Sequence, residues 1–560
     1  ALPLCLASAQ PTPSTSPQPT PSASTQPAKE KKEGGSLAVK GLMAVISLLS
    51  IAYLVVLWRN PRWLLLLPSG ITIPKTAFNP EIKLAPGIVA WLKYRPRVLD
   101  AWVAERIEKA QANFEGRETV KDRKIYLPAP IRLADQKLTG LTVKDLQAAL
   151  KEKQTFRLVI HGEGGVGKTS LACQIAKWAM AEGKEERLCQ HRMLPILIEE
   201  ELEEGKSLLD AITFQLRNLR DEQKPIAEEL LKQLLEKQRI LVIVDHLSEM
   251  SEATRKAVQL KDARSPVNAL IVTSRLDDIL GKESAETSLE PEKISVGNIA
   301  GQFNAYLQER LKQEEEKLEF YDYDYNDAYR CLGEIAGVRK AGEKGEREGG
   351  VTFLLIKLYV DLMIAQKKGA LTERVPNNVP DLMLGYIREL DQNVAPPFKA
   401  EPGNPYLTDI VQAVAWQCVE ANFKPDYVQR EKVQQALEQL ATGTDKPQET
   451  ATRWLNYLET RLKIVNPSYD KKTLRLSLDP LAEYLAGLHL VWQYRNDGAR
   501  WRELIEQAKS KPLNEIRGFL LALRDCCEKK GKQAEIPNFV VPELGKLADL
   551  DEEAIAAYYR

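Results

Sequence analysis

Phe156-Arg157-Leu158-Val159-Ile160-His161-Gly162-Glu163-Gly164-Gly165-Val166-Gly167-Lys168-Thr169-Ser170, followed by the stretch LACQIAKWAM to Met180, decides how this chain is read. A short apolar run of strand character enters a glycine-rich loop, and the loop opens onto a segment of helical spacing. Gly162 to Thr169 fits G-x-x-x-x-G-K-[ST] without a gap, in the strand–loop–helix order the pattern requires. Glycines let successive backbone N–H groups turn toward one anion, and the following helix adds the positive end of its dipole. The loop therefore predicts a nucleoside triphosphate site made of Gly162, Glu163, Gly164, Gly165, Val166, Gly167, Lys168, Thr169 and Ser170. In that site Lys168 bridges the β- and γ-phosphates and Thr169 ligates Mg²⁺.

Such a loop needs a second strand carrying a carboxylate. Ile240-Leu241-Val242-Ile243-Val244-Asp245 supplies it, an apolar run typical of a buried parallel strand that ends in an acid. Asp245 is the expected second Mg²⁺ residue, and Glu249, four residues on, is the candidate general base for an attacking water. A third run, Asn268-Ala269-Leu270-Ile271-Val272-Thr273-Ser274-Arg275, also ends in polar residues. Ligands of parallel sheets sit beyond the carboxyl ends of the strands, which places Thr273 and Arg275 near the phosphates and makes Arg275 the candidate γ-phosphate sensor. With Leu194-Pro195-Ile196-Leu197-Ile198 between loop helix and acid strand, the order β-α-β-α-β-α-β predicts an α/β P-loop NTPase, a parallel sheet with helices on both faces.

Upstream, the chain is of another kind. Residues 1–9 end in Ala7-Ser8-Ala9, the form of a signal-peptide cleavage site, and 14 of the 17 residues from Pro11 to Pro27 are Pro, Ser or Thr, too polar to fold alone. Gly41 to Trp58 carries no charge over 18 residues between Lys40 and Arg59, long enough to predict an N-terminal transmembrane helix. Seven Lys and Arg against one acid follow over Arg59 to Arg97, and Trp63-Leu64-Leu65-Leu66-Leu67 reads either as a second, interfacial anchor or as a stretch packed on the domain. ATP is cytoplasmic, so the NTPase body is expected in the cytoplasm on a single-pass membrane anchor.

Over all 560 residues, 78 Lys and Arg balance 78 Asp and Glu, but residues 1–97 hold 11 against 3 and the remainder 67 against 75. A basic front end precedes an acidic body with no general electrostatic reason to bind nucleic acid. The seven cysteines are too scattered for a disulfide framework or a metal motif and read as reduced thiols. The expected organisation is a leader remnant over 1–9, a disordered linker over 10–40, the membrane helix over 41–58 and a basic juxtamembrane helical segment over 59–120. An NTPase domain over 121–285, a helical subdomain over 286–400, a winged helix over 401–495 and a C-terminal helical segment over 496–560 complete it. The winged helix rests on three helical stretches, LTDIVQAVAWQCVEA, VQREKVQQALEQL and ETATRWLNYLETR, before two short strands that flank Ser468 to Lys472. Its third helix mixes Glu449 and Glu459 with Arg453 and Arg461, which favours a structural use over DNA reading.

GEGGVGKTS, ILVIVDHLSE and LIVTSR together resemble the STAND class of signalling NTPases, and within it the NACHT group, with the NB-ARC ATPases as cousins. The resemblance covers Leu127 to Gln493, about two-thirds of the chain. It implies a P-loop domain followed by helical and winged-helix subdomains that trap ATP or ADP with Mg²⁺ among them. It also implies slow hydrolysis, opening and homo-oligomerisation on exchange of ADP for ATP, an unidentified protein or ligand signal, and a role in stress or antiviral defence. The chain departs from that pattern in places. Leu478 stands where a phosphate-contacting histidine is usual, with Asp479 after it; His246 follows Asp245 in place of a small residue; Ser248 takes the slot of a second acid; and Phe353 replaces a proline near the adenine. Two other readings compete: a fast-turnover AAA-type ATPase, and a membrane-anchored winged-helix regulator that binds DNA.

Overall fold

The computed structural model describes residues 34–548 apart from 69–71, 74–81, 84, 135, 151–154, 203–205, 218–225, 259–265, 276–278, 281–286, 315–316, 337–349, 370–373, 395–397, 399–404 and 469–470. The expected leader remnant over 1–9 and most of the linker over 10–40 lie outside the described residues. The chain divides into two compact units, residues 1–93 and 94–560.

In the first unit the apolar stretch forms helix α1 (Gly34–Arg59), which begins inside the segment read as linker. A 3-10 turn at Pro61–Leu66 and a helix at Pro86–Lys93 follow, and Tyr53 Oη donates to Leu92 O at 3.0 Å, tying α1 to the latter. Along α1 the apolar side chains of Leu48, Leu49, Ile51, Leu54, Val55 and Trp58 are exposed. Among the described residues no helix is long and apolar enough to cross a membrane, so the segment expected to span is seen as a helix but not as a span.

The second unit is built on a seven-stranded sheet. Its strands are β1 (Ile131–Leu133), β2 (Gln136–Leu138), β3 (Phe156–His161), β4 (Leu194–Ile198), β5 (Ile240–Val244), β6 (Ala269–Ser274) and β7 (Thr287–Pro291). Their order is β2-β1-β7-β3-β6-β5-β4, with five parallel strands from β7 to β4 and the antiparallel hairpin β1–β2 along the β7 edge. β4, β5 and β6 are buried at every residue, which is why each reads as an unbroken apolar run. β7 carries no such signal, because Thr287-Ser288-Leu289-Glu290-Pro291 alternates buried and half-buried positions; it extends the sheet past residue 285. From β3 the chain runs through α2 (Lys168–Met180) to β4 at the far edge and then returns inward. Right-handed crossovers that reverse direction put their helices on opposite faces, so both faces are covered, as expected. The reversal beside β3 opens a crevice at the carboxyl ends of β3 and β6.

Helices Pro96–Ala104 and Ile107–Glu115, within the segment expected to be basic and juxtamembrane, pack into this unit. Leu99 and Trp102 are buried, and Arg239 Nη2 lies 2.8 Å from Asp100 Oδ1, which joins these helices to the start of β5. Their apolar stripe outweighs the basic residues around it.

Beyond the sheet a helical layer includes Val296–Leu311, Asp322–Ile335, α3 (Phe353–Lys367) and Val379–Gln392. Then come α4 (Leu407–Val419), β8 (Val428–Gln429), α5 (Arg430–Leu440), α6 (Pro447–Asn456), β9 (Val465–Pro467) and β10 (Thr473–Leu476). The three strands pair antiparallel in the order β8-β10-β9, the helix–strand–helix–helix–hairpin order of a winged helix, with a two-residue first strand too short to leave a periodic signal. Charges on its third helix are partly neutralised, Lys446 Nζ lying 2.9 Å from Glu449 Oε1.

α7 (Asp479–Tyr494) follows β10 and packs between α4 and α8 (Leu513–Ala534). The approach of α7 to α8 is set by Gly487, where an added Cβ would lie 3.1 Å from Cys526 Sγ and 3.2 Å from Leu523 Cα. Cys173, Cys331, Cys418, Cys526 and Cys527 are buried free thiols, and burial pushes Cys173 and Cys418 each up to about 12. Gly487→Val should therefore destabilise the protein by about 1–3 kcal/mol through overpacking. Gly297→Ala, at a helical glycine with no heavy atom within 4 Å of its added Cβ, should be neutral or stabilising, and urea denaturation of both variants checks the contrast.

Candidate functional site

The glycine-rich loop leaves β3 with Gly162, Gly165 and Gly167 at φ of +142°, +79° and +105°, a region an L-residue enters only under strain. This backbone lets the loop double back, and α2 starts at Lys168. Val166, Lys168 and Thr169 are buried, and Ser170 sits in the first turn of α2. Lys168 Nζ donates to Gly162 O and to Glu163 O, each at 2.8 Å, which holds the ammonium inside the loop.

Asp245 stands at the carboxyl end of β5, almost wholly buried. Thr169 Oγ1 donates to its Oδ1 at 3.0 Å, Thr273 Oγ1 donates to the same oxygen, and His246 Nε2 lies 3.0 Å from Oδ2. Burial alone would raise the carboxyl pKa. The neighbouring imidazole of His246, the Thr273 hydroxyl and the Arg123 charge outweigh it and hold the group well below the usual carboxylate range. The acid thus stays ionised at neutral pH. His246 takes a left-handed φ of +57° and its N–H donates to Thr273 Oγ1 at 2.8 Å, latching the turn after β5 to β6. Ser248, in the slot of a second acid, accepts from the Arg275 N–H at 2.9 Å. Glu249 closes the 3-10 turn Leu247–Glu249, but its side chain lies outside the described residues.

Arg275 follows β6, and its guanidinium turns to the first turns of α7. Its Nη1 lies 2.6 Å from Glu483 Oε1 and its Nη2 lies 3.2 Å from Asp479 Oδ2. Other parts of the chain also crowd the loop. A Cβ at Gly164 would lie 3.1 Å from Pro480 Cγ, and one at Gly165 would lie 3.1 Å from Leu354 Cβ. The Leu354 N–H donates to Gly165 O at 3.1 Å, which places the start of α3 directly on the loop. Phe353 itself turns aside, edge-on to Tyr306 at 5.5 Å between ring centroids. Glu163 is paired with Lys293 Nζ at 2.7 Å and with Arg517 Nη1 of α8 at 3.3 Å; these two charges lower its pKa against the opposing effect of burial.

Lys168, Thr169 and Asp245 thus stand together at the loop, while the Arg275 guanidinium is held by Asp479 and Glu483. Sequence reasoning did not place Glu483, Pro480 or Arg517 there. Asp479 and Glu483 did leave a trace, two acids at i and i+4 in an otherwise apolar helix, a pattern that puts both on one buried face. The donor set fits the ligands it would hold. A buried ionised carboxylate and a threonine hydroxyl 3.0 Å apart are hard oxygen donors suited to Mg²⁺, and the left-handed glycines with the α2 terminus suit a phosphate chain.

Residues 141–296 match the family model of the NB-ARC domain, and residues 508–552 match that of NACHT C-terminal Helical domain 4. The two family matches support a NACHT-like P-loop NTPase. Two solved structures show remote likenesses. One is Cdc6p from Pyrobaculum aerophilum, 12% identical over 61% of this chain and 90% of that one, with a TM-score of 0.25. The other is a STAND protein with a tetratricopeptide repeat sensor from Pyrococcus horikoshii, 12% identical over 74% of this chain and 76% of that one, with a TM-score of 0.21. Both are too distant to carry an argument, and no curated protein matches the chain. The nucleotide-binding part of the NTPase is thus its NB-ARC segment, and the region matched as the C-terminal helical domain includes α8, whose Arg517 reaches the P-loop.

Lys168→Ala should weaken ATP binding by roughly ten- to a hundredfold, the worth of charge-assisted hydrogen bonds to phosphate, and leave the fold intact. Calorimetric titration with ATP and Mg²⁺, with far-ultraviolet circular dichroism for the fold, checks this; undiminished affinity would remove Lys168 from the site.

Proposed function

We propose that the NTPase is a slowly hydrolysing ATP switch, closed when the helical, winged-helix and C-terminal parts lie on the P-loop and open when ATP replaces ADP. One observation carries the reading: the loop is touched from three directions, by Leu354 at the start of α3, by Pro480 of α7 and by Arg517 of α8. Any rearrangement of the loop around a phosphate is felt at once by three elements far apart in sequence, which is what a two-state element biased by nucleotide needs.

In this reading Gly162 to Ser170 wrap the phosphates, Lys168 leaves its loop carbonyls for the β- and γ-phosphates, and Thr169 and Asp245 hold Mg²⁺. The metal, when bound, supplies charge neutralisation at the phosphates. Glu249 orients and deprotonates water, and Arg275 steadies the γ-phosphate once free of its present partners. Opening exposes surfaces through which copies of the chain associate, and the input is a protein or ligand signal. We further propose that α1 tethers the switch to a membrane, with the NTPase on the cytoplasmic side. The uncharged run from Gly41 to Trp58 and the exposed apolar side chains of α1 support this.

Light scattering of detergent-solubilised protein in ADP and in ATP with Mg²⁺ tests the switch: larger particles are expected only with ATP, and a turnover below ~1 s⁻¹. Monomers in both nucleotides, or turnover well above that, would refute it. Glu249→Gln should bind ATP normally, hydrolyse it more slowly and favour the larger form. For the tether, the full chain should float with liposomes and a chain lacking residues 34–59 should not.

A further inference from the structure

Two buried acids on α7 have not been given a task by the nucleotide chemistry. Asp479 and Glu483 are each 6% exposed and lie one helical turn apart in a helix whose other buried residues are almost all apolar. Acids in such surroundings are costly unless paired, and their partner is Arg275, itself 12% exposed. Asp479 Oδ1 also takes Arg475 Nη2 at 3.0 Å, and His246 Nδ1 stands 4.0 Å from its Oδ2.

The pair is covered from the far side by α8. A Cβ added at Gly518 would lie 2.5 Å from Glu483 Oε1 and 2.9 Å from Arg275 Nη1, so the backbone of α8 rests directly on the ion pair and a side chain there must displace it. Every one of these contacts is made by protein on protein.

Resting on the switch reading above, we infer that Asp479 and Glu483 are a lock that captures Arg275 and holds the winged-helix side of the chain closed without a bridging nucleotide. The lock and a γ-phosphate compete for one guanidinium. Arg275 spends Nη1 on Glu483 and Nη2 on Asp479 in the closed form, so a γ-phosphate that recruits it must release α7. ADP has no γ-phosphate to make that claim. Neutralising the acids removes the charges that hold Arg275 on α7, and the form in which it leaves α7 gains population.

The test is hydrogen exchange on the full-length protein, solubilised and stripped of nucleotide with apyrase and a chelator. Wild type should keep α7 and α8 protected, and the Asp479→Asn/Glu483→Gln double variant should exchange there about tenfold faster or more. Gly518→Leu, which alters no charge but drives a side chain into the pair, should do the same and serves if the double variant does not fold. Loss of protection in stripped wild type would overturn the lock, as would wild-type exchange in either variant. The outcome is separable from the switch reading: a wild type that stays locked yet shows no oligomer in ATP sinks the switch and leaves the lock standing.

Discussion

The carboxylate of Asp245 is the point on which the site depends. It is buried, kept ionised by His246 and Thr273, and reached by Thr169 from the loop helix. Three segments distant in sequence, the start of α2 and the ends of β5 and β6, are thereby fixed on one pair of oxygens. A carboxylate in that position left without these donors would take up a proton, and the hard-oxygen pair suited to a divalent cation would be gone. The parallel strands are apolar because the sheet is covered on both faces, so polar groups gather where the strands end.

A second group of charges governs what lies over the site. Arg275 leaves the same sheet edge two residues after Thr273, but its guanidinium is taken up by α7, with the backbone of α8 at Gly518 closing over the pair. On the other side of the loop Glu163 is held between Lys293 and Arg517. Charged residues of the phosphate site are thus neutralised by partners from the helical, winged-helix and C-terminal parts. Such pairs gain strength from exclusion of water and lose it when water enters, which favours two distinct states over a graded one.

Much of this was legible beforehand. The loop, Asp245 and the strand ending in Arg275 each combine an apolar run with a polar residue at its carboxyl end, a pattern set by local burial. Less local features left weaker marks. β7 alternates like an edge strand, β8 is two residues long, and nothing in the spacing of the helices from Pro96 to Glu115 says that Leu99 and Trp102 are buried in the second unit. The apolar run before Arg59 reads as a membrane span, whereas among the described residues no helix is long and apolar enough to cross a membrane.

The sequence by itself determined the phosphate loop, the acid that partners it and the α/β class, because those depend on residue type and spacing within single strands and turns. Only the tertiary structure decided that β6 lies between β3 and β5, that Arg275 faces two acids over two hundred residues away, and that α8 rests on them through a glycine. Strand order and ion pairing arise from which surfaces must be buried against one another. A spacing along the chain carries no record of that choice until the chain is folded.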